Sequence, residues 1–292
     1  MGNGIKQIVV VGAGQMGHQI AMLCALGGYR TVLQDVNGEA LRKAEANLGE
    51  RMSDWVKKGK LSDSDKETAF ALLSYTDSLE EAVRDADLVI EAIVEQLDVK
   101  RDLFRELDRL TPARAILATN SSTMVNSLLA EVTGRPEKVC NMHFFFPPLV
   151  MECVEIVMSD QTSEETAAAA MAVCERIGRK GILLRKEISG FVANRILGAI
   201  QREAIHLYEE GIADFKDIDV IVKKSLGHLL GPFELIDLSG ADVVYSAMQH
   251  LFSETGNLRD KPPACILEKV RTGELGRKTG VGFYEYRKEE VL

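Results

Sequence analysis

The five cysteines of this sequence (Cys24, Cys140, Cys153, Cys174 and Cys265) are scattered, odd in number and never spaced as a CxxC pair. That usage excludes a disulfide framework and a cysteine zinc site, and it reads as the reduced thiols of a cytoplasmic protein. Basic charge is in deficit: 35 Lys and Arg against 44 Asp and Glu give a formal net charge of −9. Such a chain is a poor general binder of nucleic acid or membrane surfaces, although local groups can still hold a phosphate-bearing ligand. No apolar run reaches the ~18 residues that a membrane span needs. The opening MGNGIKQIVVVGAG lacks the charged lead and long apolar core of a secretory signal. Internal repeats and low-complexity tracts are also missing. The expectation is a cytoplasmic globular protein without nucleic-acid or membrane partners.

What is present fits that class. The 292 residues are 46% hydrophobic and 27% charged, enough for one large or two moderate domains. Short β-branched runs alternate with helical stretches through the first two-thirds of the chain. Strands are predicted over 5–12, 30–35, 87–94, 114–120, 137–145, 152–158 and 180–185. Helices are predicted over 16–28, 39–58 and 97–110, and another opens with a capping-box spacing from Thr162 to Glu165 and stops at Gly178. This alternation, with nearly all-apolar strands, predicts an α/β Rossmann-type domain with a mostly parallel sheet covered on both faces. Beyond residue 188 the apolar spacing is helical, and the helices are broken at Gly211, Gly227, Gly231, Gly240 and Gly256. The predicted domains are therefore 1–187, dinucleotide-binding, and 188–292, all-α.

The strand IVVVG runs into Gly12-Ala13-Gly14-Gln15-Met16-Gly17, which opens a helix, and Asp35 ends the next strand. A bare GxGxxG is weak, but here the context is right. Gly12 permits the tight turn, Gly14 lets backbone approach a pyrophosphate, and Gly17 lets helix and strand pack closely. Phosphate would sit on the free N–H groups of the helix start. Asp35 would accept ribose hydroxyls and repel a 2′-phosphate, which selects NAD over NADP. The competing reading is a purely structural strand-turn-helix.

An enzyme of this kind that oxidises an alcohol must also take up the hydroxyl proton, and histidine titrates in the right range. His143 ends a strand at the carboxyl edge of the sheet, where doubly wound folds bind ligands. The other four histidines fall inside the first helix or in the helical region. Glu155 lies in an apolar strand, where an unpaired carboxylate is costly. With Pro147 and Pro148 turning the chain between them, it can meet the imidazole and orient it. The alternative puts Glu155 on an edge strand facing solvent. The hydroxyls of TNSST (119–123) end another strand and are either substrate donors or a helix cap. Asn194, polar among apolar neighbours near the domain junction, is either a substrate contact or a surface residue.

These motifs together resemble the 3-hydroxyacyl-CoA dehydrogenase family, over nearly the whole chain. They are GAGQMGHQIA (12–21), VIEAIVEQLDVK (89–100), NSST (120–123), HFFFPPLVMECVEI (143–156), SGFVANRIL (189–197), GPFELIDLSGADV (231–243) and GRKTGVGFYEY (276–286). The resemblance implies NAD-dependent oxidation of an (S)-3-hydroxyacyl-CoA in fatty-acid or butanoate metabolism. It makes His143 the base, paired with Glu155, with Ser122 on the reacting oxygen and Asn194 orienting the substrate. It also implies that Glu95, Lys100, Ser122 and Lys278 contact NAD, that Lys58 and Arg51 contact coenzyme A, and that the helical domain forms a homodimer. By composition alone the Lys58 stretch is a solvated helix end. The sequence departs from the family pattern at Phe146, where asparagine is usual, at the acid Glu152, and at Gln201. A hydroxy acid without coenzyme A, or a nucleotide-binding module with little turnover, are the alternative functions.

Overall fold

The computed structural model describes residues 4–286 and divides into two compact units, Met1–Phe191 and Val192–Leu292. Phe191 falls in the first because it packs on Val157 and Leu184. That unit is built on strands β1 (Gln7–Val11), β2 (Arg30–Gln34), β3 (Leu73–Thr76), β4 (Leu88–Glu91), β5 (Ile116–Thr119), β6 (Val139–Phe144), β7 (Cys153–Val157) and β8 (Lys180–Leu184). They form one sheet in the order β3-β2-β1-β4-β5-β6-β7-β8. Only the β6–β7 pairing is antiparallel. Helices α1 (Gly17–Leu26), α2 (Gly38–Lys57), α3 (Asp63–Leu72), α4 (Leu79–Val83), α5 (Leu97–Leu110), α6 (Ser127–Ala130) and α7 (Glu164–Arg176) connect the strands.

The period of two along β1 explains why both faces are covered. Ile8 and Val10 join one core with α1, α2 and α7, while Val9 and Val11 join the other with Ala82, Phe104 and Leu107. The sequence reading missed β3. Its four residues, LSYT, follow α3 without a break, and only pairing with β2 makes them a strand. The α7 cap is also one residue later than the Thr162 spacing predicts. The Ser163 hydroxyl accepts from Thr166 N–H at 3.1 Å, because the Thr162 hydroxyl is already donating to the Val139 carbonyl.

The second unit contains α8 (Ala193–Glu209), α9 (Phe215–Leu226), α10 (Pro232–Ser239), α11 (Ala241–Thr255) and α12 (Ala264–Thr272). Gly227 and Gly256 end α9 and α11 in the left-handed region, as helix stops require. Gly231 instead opens α10. A Cβ there would lie 2.2 Å from Cγ of Asp219, the buried carboxylate that accepts from the Phe233 and Glu234 N–H groups of that helix start. VGFYEY makes only isolated bridges.

Candidate active site

The glycine-rich turn lies where the strand order reverses, between β1 and β4. Gly12 has φ +103°, and a Cβ on it would come 2.6 Å from the Ala92 carbonyl oxygen leaving β4. A Cβ on Gly17 would sit 1.8 Å from the Gly12 carbonyl oxygen, so the helix packs directly on the turn. Gly14 is different, because its Cβ direction meets nothing within 4 Å. That leaves open space over the backbone at the start of α1, beside the exposed Gln15. The half-buried Asp35 accepts from Ala13 N–H at 2.7 Å and from Asn37 N–H at 2.8 Å, which fixes its carboxylate at the end of β2. A cradle this shape fits a dinucleotide: room at Gly14, N–H groups at a helix start, and an acid held beside them. The contrast between the glycines gives a test. Gly14→Ala should change stability by no more than about 0.5 kcal/mol yet weaken NAD binding on the order of tenfold. Gly17→Ala should lower stability by roughly 1–3 kcal/mol or more through the clash. Thermal melts and nucleotide titrations of the two variants measure both effects.

The imidazole site is built by the one antiparallel pairing in the sheet. β6 ends at Phe144, and the Pro147 carbonyl accepts from Val150 and Met151 N–H groups at 2.9 and 3.0 Å as the chain turns back. Strand β7 then returns with Glu155 directly opposite His143 in the register. Glu155 is 4% exposed and lies between β6 and β8, so the solvent-facing edge alternative is excluded. Its Oε2 accepts from Nδ1 of His143 at 2.8 Å. A carboxylate can only accept, so Nδ1 carries the proton and Nε2 of the neutral ring keeps its lone pair. Nε2 lies 3.1 Å from Oγ of Ser122. The ring is flanked edge-on by Phe145, with centroids 4.7 Å apart, and at a tilt by Phe191 at 5.3 Å. Phe191 is fully buried at φ +48°, a left-handed conformation that a phenylalanine tolerates only when its surroundings fix it.

The loop carrying Ser122 is pinned at every other position. Asn120 Oδ1 accepts from Phe144 N–H at 3.0 Å, tying β5 to β6 next to His143. Ser121 Oγ donates to Glu95 Oε1 and accepts from Met124 N–H. Thr123 Oγ1 donates to the same Glu95 oxygen at 3.0 Å. Only Ser122 points at the imidazole. Beneath the loop, Lys100 is 1% exposed, with its ammonium 2.5 Å from Glu91 Oε1 and 3.1 Å from Glu95 Oε2. Lys100 is thus partnered by two carboxylates, and through Glu95 it is linked to the loop that carries Ser122. Glu91, wholly buried, also accepts from Ile93 N–H and the Thr119 hydroxyl, both at 2.7 Å. Burial alone would raise the Glu95 carboxyl, but Lys100 and the two hydroxyls outweigh it and hold the group below the ordinary carboxylate value. Sequence reasoning missed both Glu91 and Phe191. An acid inside the apolar run DLVIEAIV was a usable signal for the first, whereas the contact of Phe191 with His143 is purely tertiary.

On α2, Arg51 Nη1 donates to Gln19 Oε1 at 3.0 Å. The two line a cavity of about 460 Å³ with Gln15, His18, Asn47 and Asp54. Burial holds the His18 imidazole below its ordinary value, and Arg51 adds to the effect against the Gly14 carbonyl. Lys58 caps the C-terminus of that helix, seven residues beyond Arg51, exposed and paired with Asp54 at 2.8 Å. Its place at the helix C-terminus is also what the macrodipole favours. Phe146 is 54% exposed at the start of the β6–β7 turn, so it fills no core.

In the second unit, Asn194 is half-buried in the first turn of α8. Lys278 is 2.5 Å from Asp242 Oδ1, so its charge is already partnered within that unit. Gln201 is buried in α8. Among the described residues no group of three or more His, Cys, Asp or Glu is placed to hold a metal, and no helix is long and apolar enough to cross a membrane.

Comparison with known proteins gives consistent matches. Residues 7–188 match the family model for the 3-hydroxyacyl-CoA dehydrogenase NAD binding domain, and residues 190–286 match its C-terminal domain. A probable 3-hydroxybutyryl-CoA dehydrogenase of Bacillus subtilis is 39% identical over 285 residues, covering 98% of this chain and 99% of the relative. A 3-hydroxybutyryl-CoA dehydrogenase of Clostridioides difficile is 36% identical, covering 97% of this chain and 100% of its own. Among solved structures, that of (S)-3-hydroxybutyryl-CoA dehydrogenase from Ralstonia eutropha superposes with a TM-score of 0.93 at 36% identity, covering 98% and 100%.

Proposed function

The chain belongs to the 3-hydroxyacyl-CoA dehydrogenase family, and from that premise we propose that this NAD-dependent oxidoreductase interconverts (S)-3-hydroxyacyl-CoA and 3-oxoacyl-CoA with His143 as the general base. The observation that carries the reading is the Glu155–His143–Ser122 chain, at 2.8 and 3.1 Å, at the carboxyl edge of a dinucleotide-binding sheet. NAD, when bound, supplies the hydride acceptor. The fingerprint residues Gly12 to Gly17 and Asp35 hold its phosphates and adenosine ribose.

In oxidation, the substrate hydroxyl gives its proton to Nε2 of His143. Glu155 keeps the ring in the required tautomer and stabilises the imidazolium that forms. With substrate in place, the Ser122 hydroxyl turns its single proton from Nε2 to the reacting oxygen, and the contacts with Phe145 and Phe191 keep the ring in one orientation. Run in reverse, the imidazolium returns the same proton to the 3-oxo group, which makes the reaction reversible at one site. Asn194 is assigned to substrate orientation and Lys278 to NAD. Arg51, on α2, and Lys58, the residue that caps its C-terminus, are assigned to the phosphates of coenzyme A. The five unpaired cysteines fit a reducing compartment, the cytoplasm. Exposed Val220, Ile221, Leu226 and Leu229, in and just beyond α9, support a homodimer through the helical unit.

The test is NADH oxidation with acetoacetyl-CoA, set beside acetoacetate and dehydrocarnitine, on protein whose sedimentation mass should be that of two chains. Turnover of the CoA ester well above that of the free acids is expected. Turnover confined to the free acids would sink the CoA assignment, and nucleotide binding with no turnover would leave a binding module.

A further inference from the structure

The buried ion cluster beside the active site is not electrically balanced. Two carboxylates, Glu91 and Glu95, face the single ammonium of Lys100. Glu91 is wholly buried and takes the shorter contact, 2.5 Å, together with two further donors. Lys100 is therefore neutralised from below. Glu95, with 42% of its side chain exposed, presents the surplus negative charge at the surface of the cluster.

Where that surface lies follows from the sheet. A dinucleotide crosses the carboxyl edge at the reversal between β1 and β4. Asp35 and the glycine turn take its adenosine end on the β1–β2 side, so its other end extends over β4 and β5 toward His143 on β6. Glu95 stands in the loop that leaves β4, and it holds Ser121 and Thr123, the two neighbours of Ser122. A nicotinamide ring placed to react with a substrate bound at Ser122 and His143 must pass this carboxylate. That ring carries a formal positive charge when oxidised and none when reduced.

We infer that the surplus charge of the Glu91–Lys100–Glu95 cluster, presented by Glu95, biases the relative affinity of this site toward the oxidised cofactor over the reduced one. The inference rests on the NAD-dependent reading above and adds a redox-state discrimination to it. A partly exposed carboxylate facing one cationic charge changes an affinity ratio by about three- to tenfold. Because the charge is partly open to solvent, added salt shrinks the bias. The reduced product then competes less with the oxidised cofactor than it would in a neutral site.

Dissociation constants of NAD⁺, NADH and ADP-ribose, titrated on the full-length protein and its Glu95→Gln and Glu95→Asp variants, test this without any turnover. Glu95→Gln should weaken NAD⁺ by about three- to tenfold relative to NADH and leave ADP-ribose, which has no nicotinamide, unchanged. Glu95→Asp, which keeps the charge, should retain most of the discrimination. Equal weakening of NAD⁺ and NADH would reduce Glu95 to a positioning residue and overturn the inference. So would an unchanged NAD⁺ to NADH ratio in Glu95→Gln. If the unmodified protein binds none of the three nucleotides, the NAD assignment falls first and the inference with it.

Discussion

His143→Gln should lower kcat by on the order of 10²- to 10⁴-fold while leaving the NAD dissociation constant within about twofold, since general-base catalysis typically contributes that much. The separation of effects follows from geometry. The imidazole belongs to β6 and faces Ser122, whereas the residues that cradle the nucleotide phosphates belong to the β1 turn and the end of β2. Glutamine is the appropriate replacement because its amide can still donate to Glu155, so the 4%-exposed carboxylate is not stranded. An unchanged melting temperature in the same preparation would show that the loss is chemical rather than structural. Turnover at the unmodified rate would refute the base assignment. A parallel loss of NAD binding would mean that the hairpin turn supports the cofactor site as well as the proton transfer.

The second large effect is on stability. Lys100→Met should destabilise the protein by roughly 3–5 kcal/mol, because removing one partner of a buried ion pair leaves the other charge uncompensated. Glu91 has no route to solvent, being wholly buried at the end of a central strand. Its remaining donors, the Ile93 N–H and the Thr119 hydroxyl, are neutral. Pairing the change with Glu91→Gln removes the stranded charge, and the amide oxygen can still accept from Ile93 N–H while the amide nitrogen donates to the Thr119 hydroxyl oxygen, so the double variant should recover a large part of the loss. Urea unfolding of the single and double variants measures this. A Lys100→Met variant as stable as the parent would mean that water reaches Glu91, and the cluster would then lose its assigned charge balance. Methionine fills a volume similar to the lysine stem, so a cavity contributes little to the expected loss.

The two expectations differ in how far the residues concerned were visible in the sequence. His143 and Glu155 stood out because each broke a local pattern: a histidine at a strand end, and an acid inside an apolar strand. Glu91 breaks the same pattern inside DLVIEAIV, but its partner Lys100 lies in the next helix, and no local period ties the two together. Lys100 enters the sequence reading only through the family resemblance, and its burial exists only once α5 packs against the sheet. The four-residue strand β3 was missed for a related reason: its hydrogen bonds to β2 are made with a segment about forty residues away, and no local period records them.

The alternation of apolar runs with helical spacings, the glycine turn and its acid at position 35 were enough by themselves for a mostly parallel Rossmann-type sheet and a nucleotide site. Those features are local, and backbone sterics together with periods of 2 and 3.6 leave few other readings. The helical character of the second unit was equally local. What only the tertiary structure decided is which polar groups share an environment. The β6–β7 register sets Glu155 opposite His143 rather than toward solvent. The loop bonds leave Ser122, alone of its neighbours, facing the imidazole. Burial makes Lys100 the counter-charge of two acids. Pairing and desolvation energies depend on distances between residues far apart in the chain, and those distances exist only once the sheet has closed around them.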